Sequence, residues 1–220
     1  MTDAILAYFR PRPGLSALAA FLAGSASAFS MAPYQQWPLL FLGLSVLFLL
    51  QEAAPGKRRG FLNGWCFGFG YFVFGLYWIG NALLIDGNPY AWAWPLAVAG
   101  LPAALAFYPA LACMAMRWRP AGSLHARYGA YIGWMALSEW VRGHALTGFP
   151  WNLFGYTWAD HLPLVQMVSF SNVYFLSLLT IGWAALPGFL LLARPLADRR
   201  SLLLASLIAA SFIVVYGYGA

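Results

Sequence analysis

The chain is 220 residues long, 62% hydrophobic and 8% charged, with twelve Lys and Arg against six Asp and Glu and a net charge of +6. Soluble domains carry about 25% charged residues, and so small a supply cannot cover a surface facing water, whereas helices facing lipid need an apolar exterior. The basic residues fall in twos and threes between apolar runs instead of gathering in one stripe, which argues against a nucleic-acid partner.

In chain order, Arg10 and Arg12 precede an apolar run over 15–29. Small residues near Ser25 and Ala28 give it a passing likeness to a signal peptide. A second apolar run, 37–50, follows at once, so the two read better as a short helical hairpin turned by Met31, Ala32, Pro33 and Tyr34. Lys57, Arg58 and Arg59 then lead into an aromatic span over 61–84, whose Gly64, Gly68, Gly70 and Gly75 permit close helix approach. A polar loop with Asp86 and Asn88 precedes a span over 92–116, and Arg117, Arg119 and Arg127 mark a second basic loop. The fifth span, 128–142, carries Glu139 and Arg142. Residues 143–163 form a loop rich in aromatics, Gly and Pro, expected at the outer interface. A sixth span over 164–192 is expected to break near Pro187. After Arg194, Arg199 and Arg200 a seventh covers 202–218. The expected fold is an all-α integral membrane protein, one transmembrane domain of about seven helices.

Cytoplasmic loops are enriched in Lys and Arg, which tests this division independently of hydropathy. With a cytoplasmic N-terminus, eleven of the twelve basic residues fall inside and only Arg142 falls outside. The partition predicts a periplasmic C-terminus.

Glu139 and Arg142 lie three residues apart on a predicted helix, within reach of each other, in the outer half of a core about 30 Å thick. A lone charge there costs about 2.5–3.5 kcal/mol, and a partner reduces the cost. Two readings follow: a structural ion pair, or part of a polar pocket for a lipid headgroup. The segment after it, with Phe149, Pro150, Trp151 and Tyr156, suits the headgroup level, either as an aromatic anchor or as a lipid contact. Trp78, among the aromatics of the third span, is read with them as helix packing. Gln166, Ser169, Ser171 and Asn172 either line a polar cavity or bond neighbouring helices. Cys66 and Cys113 sit in apolar runs with no metal-binding spacing, and the three histidines fall on different sides, so no metal and no cofactor are expected. A site built from a carboxylate, a lysine and a cysteine cannot form either, because the only lysine, Lys57, is at the cytoplasmic side, far from Glu139.

Taken together, Ala32-Pro33-Tyr34 with Trp37-Pro38-Leu39, the run from Gly64 to Tyr77-Trp78-Ile79, Glu139-Trp140-Val141-Arg142-Gly143, Thr147-Gly148-Phe149-Pro150-Trp151 and Gly155-Tyr156 resemble the membrane part of apolipoprotein N-acyltransferases. The resemblance implies a bacterial inner-membrane enzyme that matures lipoproteins. Such enzymes move an acyl chain from a membrane phospholipid, through a cysteine thioester, to the N-terminal amine of a diacylglyceryl apolipoprotein. In this family a periplasmic nitrilase-like domain with Glu, Lys and Cys follows the seventh span. No catalytic residue is carried over to this chain, which is expected to be a truncated fragment, or half of a split enzyme, that is inactive alone. It would anchor the catalytic domain and help admit lipid, with Glu139, Arg142, Phe149, Pro150, Trp151, Tyr156 and Trp78 as substrate or lipid-interface candidates. The alternative is a multi-span transporter or lipid-binding protein with no acyltransferase role.

Overall fold

The computed structural model describes residues 2–117, 122–193 and 198–220; Arg119 and Arg194 of the charge partition lie outside the described residues. All regular structure among these is helical: α1 (Thr2–Phe9), α2 (Pro13–Ala28), α3 (Trp37–Ala53), α4 (Lys57–Leu76), α5 (Leu101–Leu105), α6 (Phe107–Met116), α7 (Leu124–His144), α8 (Leu162–Val165), α9 (Val173–Ala193) and α10 (Arg199–Gly219). Pro13 and Pro38 sit in the first turns of α2 and α3, where an N–H has no helical partner to lose. Ser123 caps α7 by accepting from the Ala126 N–H, and Asp198 caps α10 by accepting from the Arg200 N–H.

Four helical segments among the described residues are long and apolar enough to cross a membrane, Lys57–Leu84, Ala91–Met116, Val173–Ala193 and Arg199–Gly219, while Pro13–Ala28 and Trp37–Ala53 are shorter apolar helices. The chain is a membrane protein. Six helices close a ring in the order α2, α4, α6, α7, α9, α3, each packed on the next, with α3 returning to α2. α10 lies outside this ring against α8 and α9, and only 11% of its apolar stretch is buried. Aromatic rings fill the interior. Phe48 meets Tyr128 and Tyr131 at centroid distances of 5.5 and 5.3 Å, and Tyr128 meets Phe189 at 4.7 Å. The Tyr131 hydroxyl donates to the Leu44 carbonyl and that of Tyr128 to Gly182, so the buried polar ends tie α7 to α3 and α9.

Small residues set the helix spacing. A Cβ added at Gly24 of α2 would lie 1.9 Å from the Phe67 carbonyl oxygen, and one at Gly68 of α4 would lie 2.5 Å from Pro109 Cγ in α6. Backbones can approach this closely only where side chains are missing. Buried Asn63 joins three helices, accepting from the Ser16 hydroxyl and donating to the Leu50 carbonyl.

The structure adds to or departs from the expected elements at Pro187, across 164–172, within the fourth segment and at the N-terminus, while the fourth segment as a whole, Ala91–Met116, is found where it was expected. The helix α9 runs through Pro187 without ending. Pro187 removes one ladder donor, and Ser45 of α3 inserts its hydroxyl beside it, donating to the Ala184 carbonyl at 2.9 Å and accepting from the Gly188 N–H at 3.0 Å. Such side chains re-satisfy backbone groups where no water is available. Residues 164–192 are not one helix. Asn172 starts α9 by accepting from the Phe175 N–H, and Ser169 and Ser171 bond to the Gln166 and Met167 carbonyls of the preceding turns. These polar residues are exposed, and among the described residues the bonds of Ser169, Ser171 and Asn172 are local ones that make turns and a cap. The fourth segment is also irregular, with a π-helical turn at Leu96–Gly100 and a break at Ala106, next to Pro102 and Pro109, which cannot donate to the ladder. At the N-terminus α1 is an addition to the expected elements. Ser16, Ala20, Ala23, Gly24 and Ser27 of α2 are buried, so this helix is a structural wall of the ring.

Gly24→Ala should lower thermal stability in detergent by about 1–3 kcal/mol through overpacking against the α4 backbone. Gly14→Ala in the same helix, where an added Cβ meets nothing within 4 Å, should be neutral or slightly stabilising. Equal effects of the two substitutions would refute backbone contact as the determinant of the α2–α4 spacing.

Candidate functional site

The last turns of α7 put Glu139 and Arg142 on its inner face, where they are 4% and 2% exposed. Their ion pair, Arg142 Nη2 to Glu139 Oε1, is 3.4 Å long. The shorter bonds of the guanidinium go elsewhere: Nη1 donates to the Phe149 carbonyl at 2.7 Å and the Trp151 carbonyl at 2.6 Å, and Nη2 reaches the Asn152 carbonyl at 3.4 Å. Charge-assisted bonds of about 2.7–2.9 Å are the strong ones, so the principal partners of Arg142 are backbone carbonyls of the loop after α7. The Glu139 carboxylate accepts from the Phe154 N–H with both oxygens, at 3.1 and 3.2 Å. The two charges thus hold opposite sides of one loop. Arg142 gathers its carbonyls, and Glu139 takes the N–H where the chain turns into a 3-10 helix at Phe154–Trp158.

The loop can present three carbonyls to one side chain because it turns sharply. Leu146, Gly148 and Asn152 have φ of 57°, 71° and 55°, in the left-handed region that glycine adopts most easily and Asn more readily than most other residues. A Cβ at Gly148 would also meet the Gly143 carbonyl oxygen at 2.5 Å. Further contacts clamp the segment. The Tyr71 hydroxyl donates to the Asn152 carbonyl at 3.1 Å, the Phe72 ring lies 5.0 Å from the Arg142 guanidinium carbon, and the Gly155 N–H donates to the Ser177 hydroxyl at 2.9 Å. Ser30 and Thr157 bond hydroxyl to hydroxyl at 3.0 Å, and the Trp158 indole N–H donates to Thr180 at 2.9 Å.

The structure therefore brings Glu139 and Arg142 together with the backbone of Phe149 and Trp151. The side chains of the other candidates form a separate rim. Trp151 is 54% exposed and meets Trp78, 48% exposed, edge to face at 6.2 Å; Pro150 and Tyr156 are exposed, and Phe149 is half-buried against the core. Partial burial, with Tyr174 and Glu139 nearby, pushes the Tyr156 phenol above its ordinary range. The space adjoining Glu139 and Arg142 measures about 10 Å³, the volume of one water and far too small for a headgroup. Beyond Ser138, which lines both spaces, an apolar groove of about 300 Å³ opens between α6 and α7 past Trp134, Leu137 and Val141. Among the described residues no three His, Cys, Asp or Glu are grouped to hold a metal ion.

Tyr71, Phe72, Asn152 and Ser177 are members of the site that sequence reasoning passed over or read as packing. Only Asn152 carried a local cue, an Asn between bulky residues at a point where the chain must turn.

Arg142→Ala leaves a buried carboxylate without its counter-charge and the Phe149 and Trp151 carbonyls unpaired, and should cost about 3–5 kcal/mol, read as a lower unfolding temperature and as protease cleavage within 145–153. Trp151→Ala, at the exposed rim, should cost less than about 1 kcal/mol. The pair Glu139→Leu with Arg142→Met, which removes both charges, should recover part of the loss.

The Apolipoprotein N-acyltransferase N-terminal domain model matches residues 23–186, a stretch that includes Glu139, Arg142 and the whole loop they hold. Proteins named apolipoprotein N-acyltransferase are similar over most of the chain. That of Rhodopseudomonas palustris is 46% identical over 182 residues, covering 80% of this chain and 33% of the relative. Those of Bradyrhizobium diazoefficiens and Caulobacter vibrioides are 40% and 37% identical, covering 84% and 96% of this chain and 35% and 39% of theirs. The chain thus spans about a third of the length of the curated relatives it matches. With the family model matched across most of its helices and through the Glu139–Arg142 loop, the chain belongs to the apolipoprotein N-acyltransferase family, through that family's N-terminal domain.

Proposed function

We propose that the chain works as the membrane domain of an apolipoprotein N-acyltransferase, moving an acyl chain from phospholipid to the N-terminal amine of a diacylglyceryl apolipoprotein. Its own share is to anchor a nitrilase-like catalytic domain and to admit lipid from the side. The observation that carries this reading is the buried Glu139–Arg142 pair holding the loop after α7, inside the stretch matched by the family model. In this reading Glu139 and Arg142 are positioning residues that fix the loop. Trp78, Pro150, Trp151 and Tyr156 face arriving substrate from the rim, and Phe149 braces them on the core. A transporter is the less favoured reading, because the two intramembrane charges are occupied by backbone groups instead of lining a path.

The proposed topology has seven spans in the bacterial inner membrane, formed by the six ring helices, with the 91–116 segment taken as one, and α10. The N-terminus is cytoplasmic, the loop over 143–163 lies at the periplasmic surface, and the C-terminus is periplasmic. The ties among basic residues support it. Arg127 pairs with Glu52 at 2.8 Å, and Arg117 donates to the Ala54 carbonyl, so the end of α3, the end of α6 and the start of α7 lie together at the charge-rich end. Arg142 belongs to the opposite end of α7.

The chemistry of the chain itself also supports an accessory share. Cys113 is fully buried and Cys66 half-buried in the bundle. Lys57 opens α4, whereas the Glu139 site packs on Tyr71 and Phe72, about 20 Å further along that helix.

A chimera tests the reading. The chain joined to the remaining two thirds of the Rhodopseudomonas palustris relative should restore lipoprotein N-acylation in a bacterium depleted of its own enzyme, and the 220-residue chain alone should form no thioester. Failure of a stably inserted chimera where the intact relative succeeds would count against the assignment. For topology, an alkaline phosphatase reporter fused after Trp151 should be active and one after Arg59 inactive; the reverse pattern would sink the orientation.

A further inference from the structure

At the other end of α4, a cavity of about 720 Å³ opens between the start of α2 and the connector from α3. Pro13, Pro55, Phe61 and Leu62 give it an apolar wall, and Arg58 and Arg59, with Lys57 beside them, line its mouth. Among the described residues no carboxylate lines it. The carboxylate of Glu52, near the end of α3, is 6% exposed and engaged by Arg127. Neither Arg58 nor Arg59 has a hydrogen-bond or ion-pair partner among the described residues. Two guanidinium groups without such partners over an apolar wall, at the end of a membrane-crossing helix, match a ligand that is anionic at one end and greasy at the other. Phe61 and Leu62 lie about one turn deeper than Arg58, the depth at which headgroup gives way to acyl chain.

We infer that this cavity is a binding site for an anionic phospholipid, with Arg58 and Arg59 gripping the phosphate and the acyl chains lying over Phe61, Leu62 and Pro13. Two guanidinium groups suit a phosphodiester because each offers paired donors in a fixed plane, and the volume falls within the range of small-molecule sites. The site is separate from the proposed substrate rim. Arg58 and Trp78 are twenty residues apart along one helical segment, about 30 Å, the thickness of the hydrocarbon core. It belongs to the opposite leaflet, named as the cytoplasmic one by the topology proposed above; the binding itself depends on neither that orientation nor acyl transfer.

The test uses the purified 220-residue chain in a neutral detergent, delipidated and titrated with phosphatidylglycerol or phosphatidylcholine of identical acyl chains, with bound lipid read by native mass spectrometry. Phosphatidylglycerol should bind at least tenfold more tightly. The double variant Arg58→Gln with Arg59→Gln should lose about 25-fold of that affinity, roughly fivefold per cation removed, with a several-fold smaller loss for phosphatidylcholine, whose choline cation offsets its phosphate. Arg58→Lys with Arg59→Lys, which keeps the charge without the paired donors, should fall between. Arg199→Gln with Arg200→Gln, two cations elsewhere at the same end, should change affinity less than twofold. Equal binding of the two lipids, or equal losses in the 58/59 and 199/200 Gln variants, would reduce the effect to general surface charge and overturn the site.

Discussion

The guanidinium of Arg142 is the point on which the upper end of this bundle depends. A loop that leaves a helix within or beside a bilayer cannot count on water for its carbonyls, and three carbonyls in the segment from Phe149 to Asn152 turn to the same side chain. Arginine is suited to this because it presents up to five donors in one plane and keeps its charge when buried. Glu139 answers both the charge and the Phe154 N–H. The pair is therefore less a bond between two side chains than a splint between α7 and the backbone that follows it. A buried ion pair adds little net stability over apolar residues of the same volume, but losing one half of it is costly. That asymmetry makes either half of the splint hard to lose, and at the rim of the loop that it holds, Trp78 and Trp151 meet.

Much of the fold was legible in hydropathy and charge. Long apolar runs mark where helices form, and the glycines among the aromatics of α4 mark where backbones touch, since a Cβ at Gly64 would meet the Pro109 carbonyl oxygen at 2.6 Å. Other features were hidden for specific reasons. A window that averages hydropathy passes over Ser171 and Asn172, although a short side chain that caps a helix matters by position and not by polarity. Pro187 reads as a breaker because the compensating hydroxyl, Ser45, is on another helix. The partners of Arg142 were unreadable for a deeper reason: they are backbone carbonyls, which every residue has, and only the chain path decides which ones converge.

The ring explains why α7 can carry charge at all. Its neighbours α6 and α9 cover its flanks, and Tyr71 and Phe72 of α4 reach across to the site from the far side. α10, outside the ring, has no such cover and presents Leu203, Leu207, Ile213 and Val214 outward, each at least 59% exposed. Charge inside and bulk aliphatic residues outside follow one rule, that each side chain takes the solvent its position offers.

The hydroxyl of Ser45 bears on the order of biogenesis. Its partners in α9 lie 139 and 143 residues further along the chain, so the ring cannot be sealed until ribosomal synthesis has reached them. At about 5–20 residues per second that interval is roughly 7–30 s. Through it the flank of α3 that meets α9 has no partner, while α2, α4 and α6 can already dock in sequence. The last seam of the ring to close therefore joins its second helix in chain order to its last.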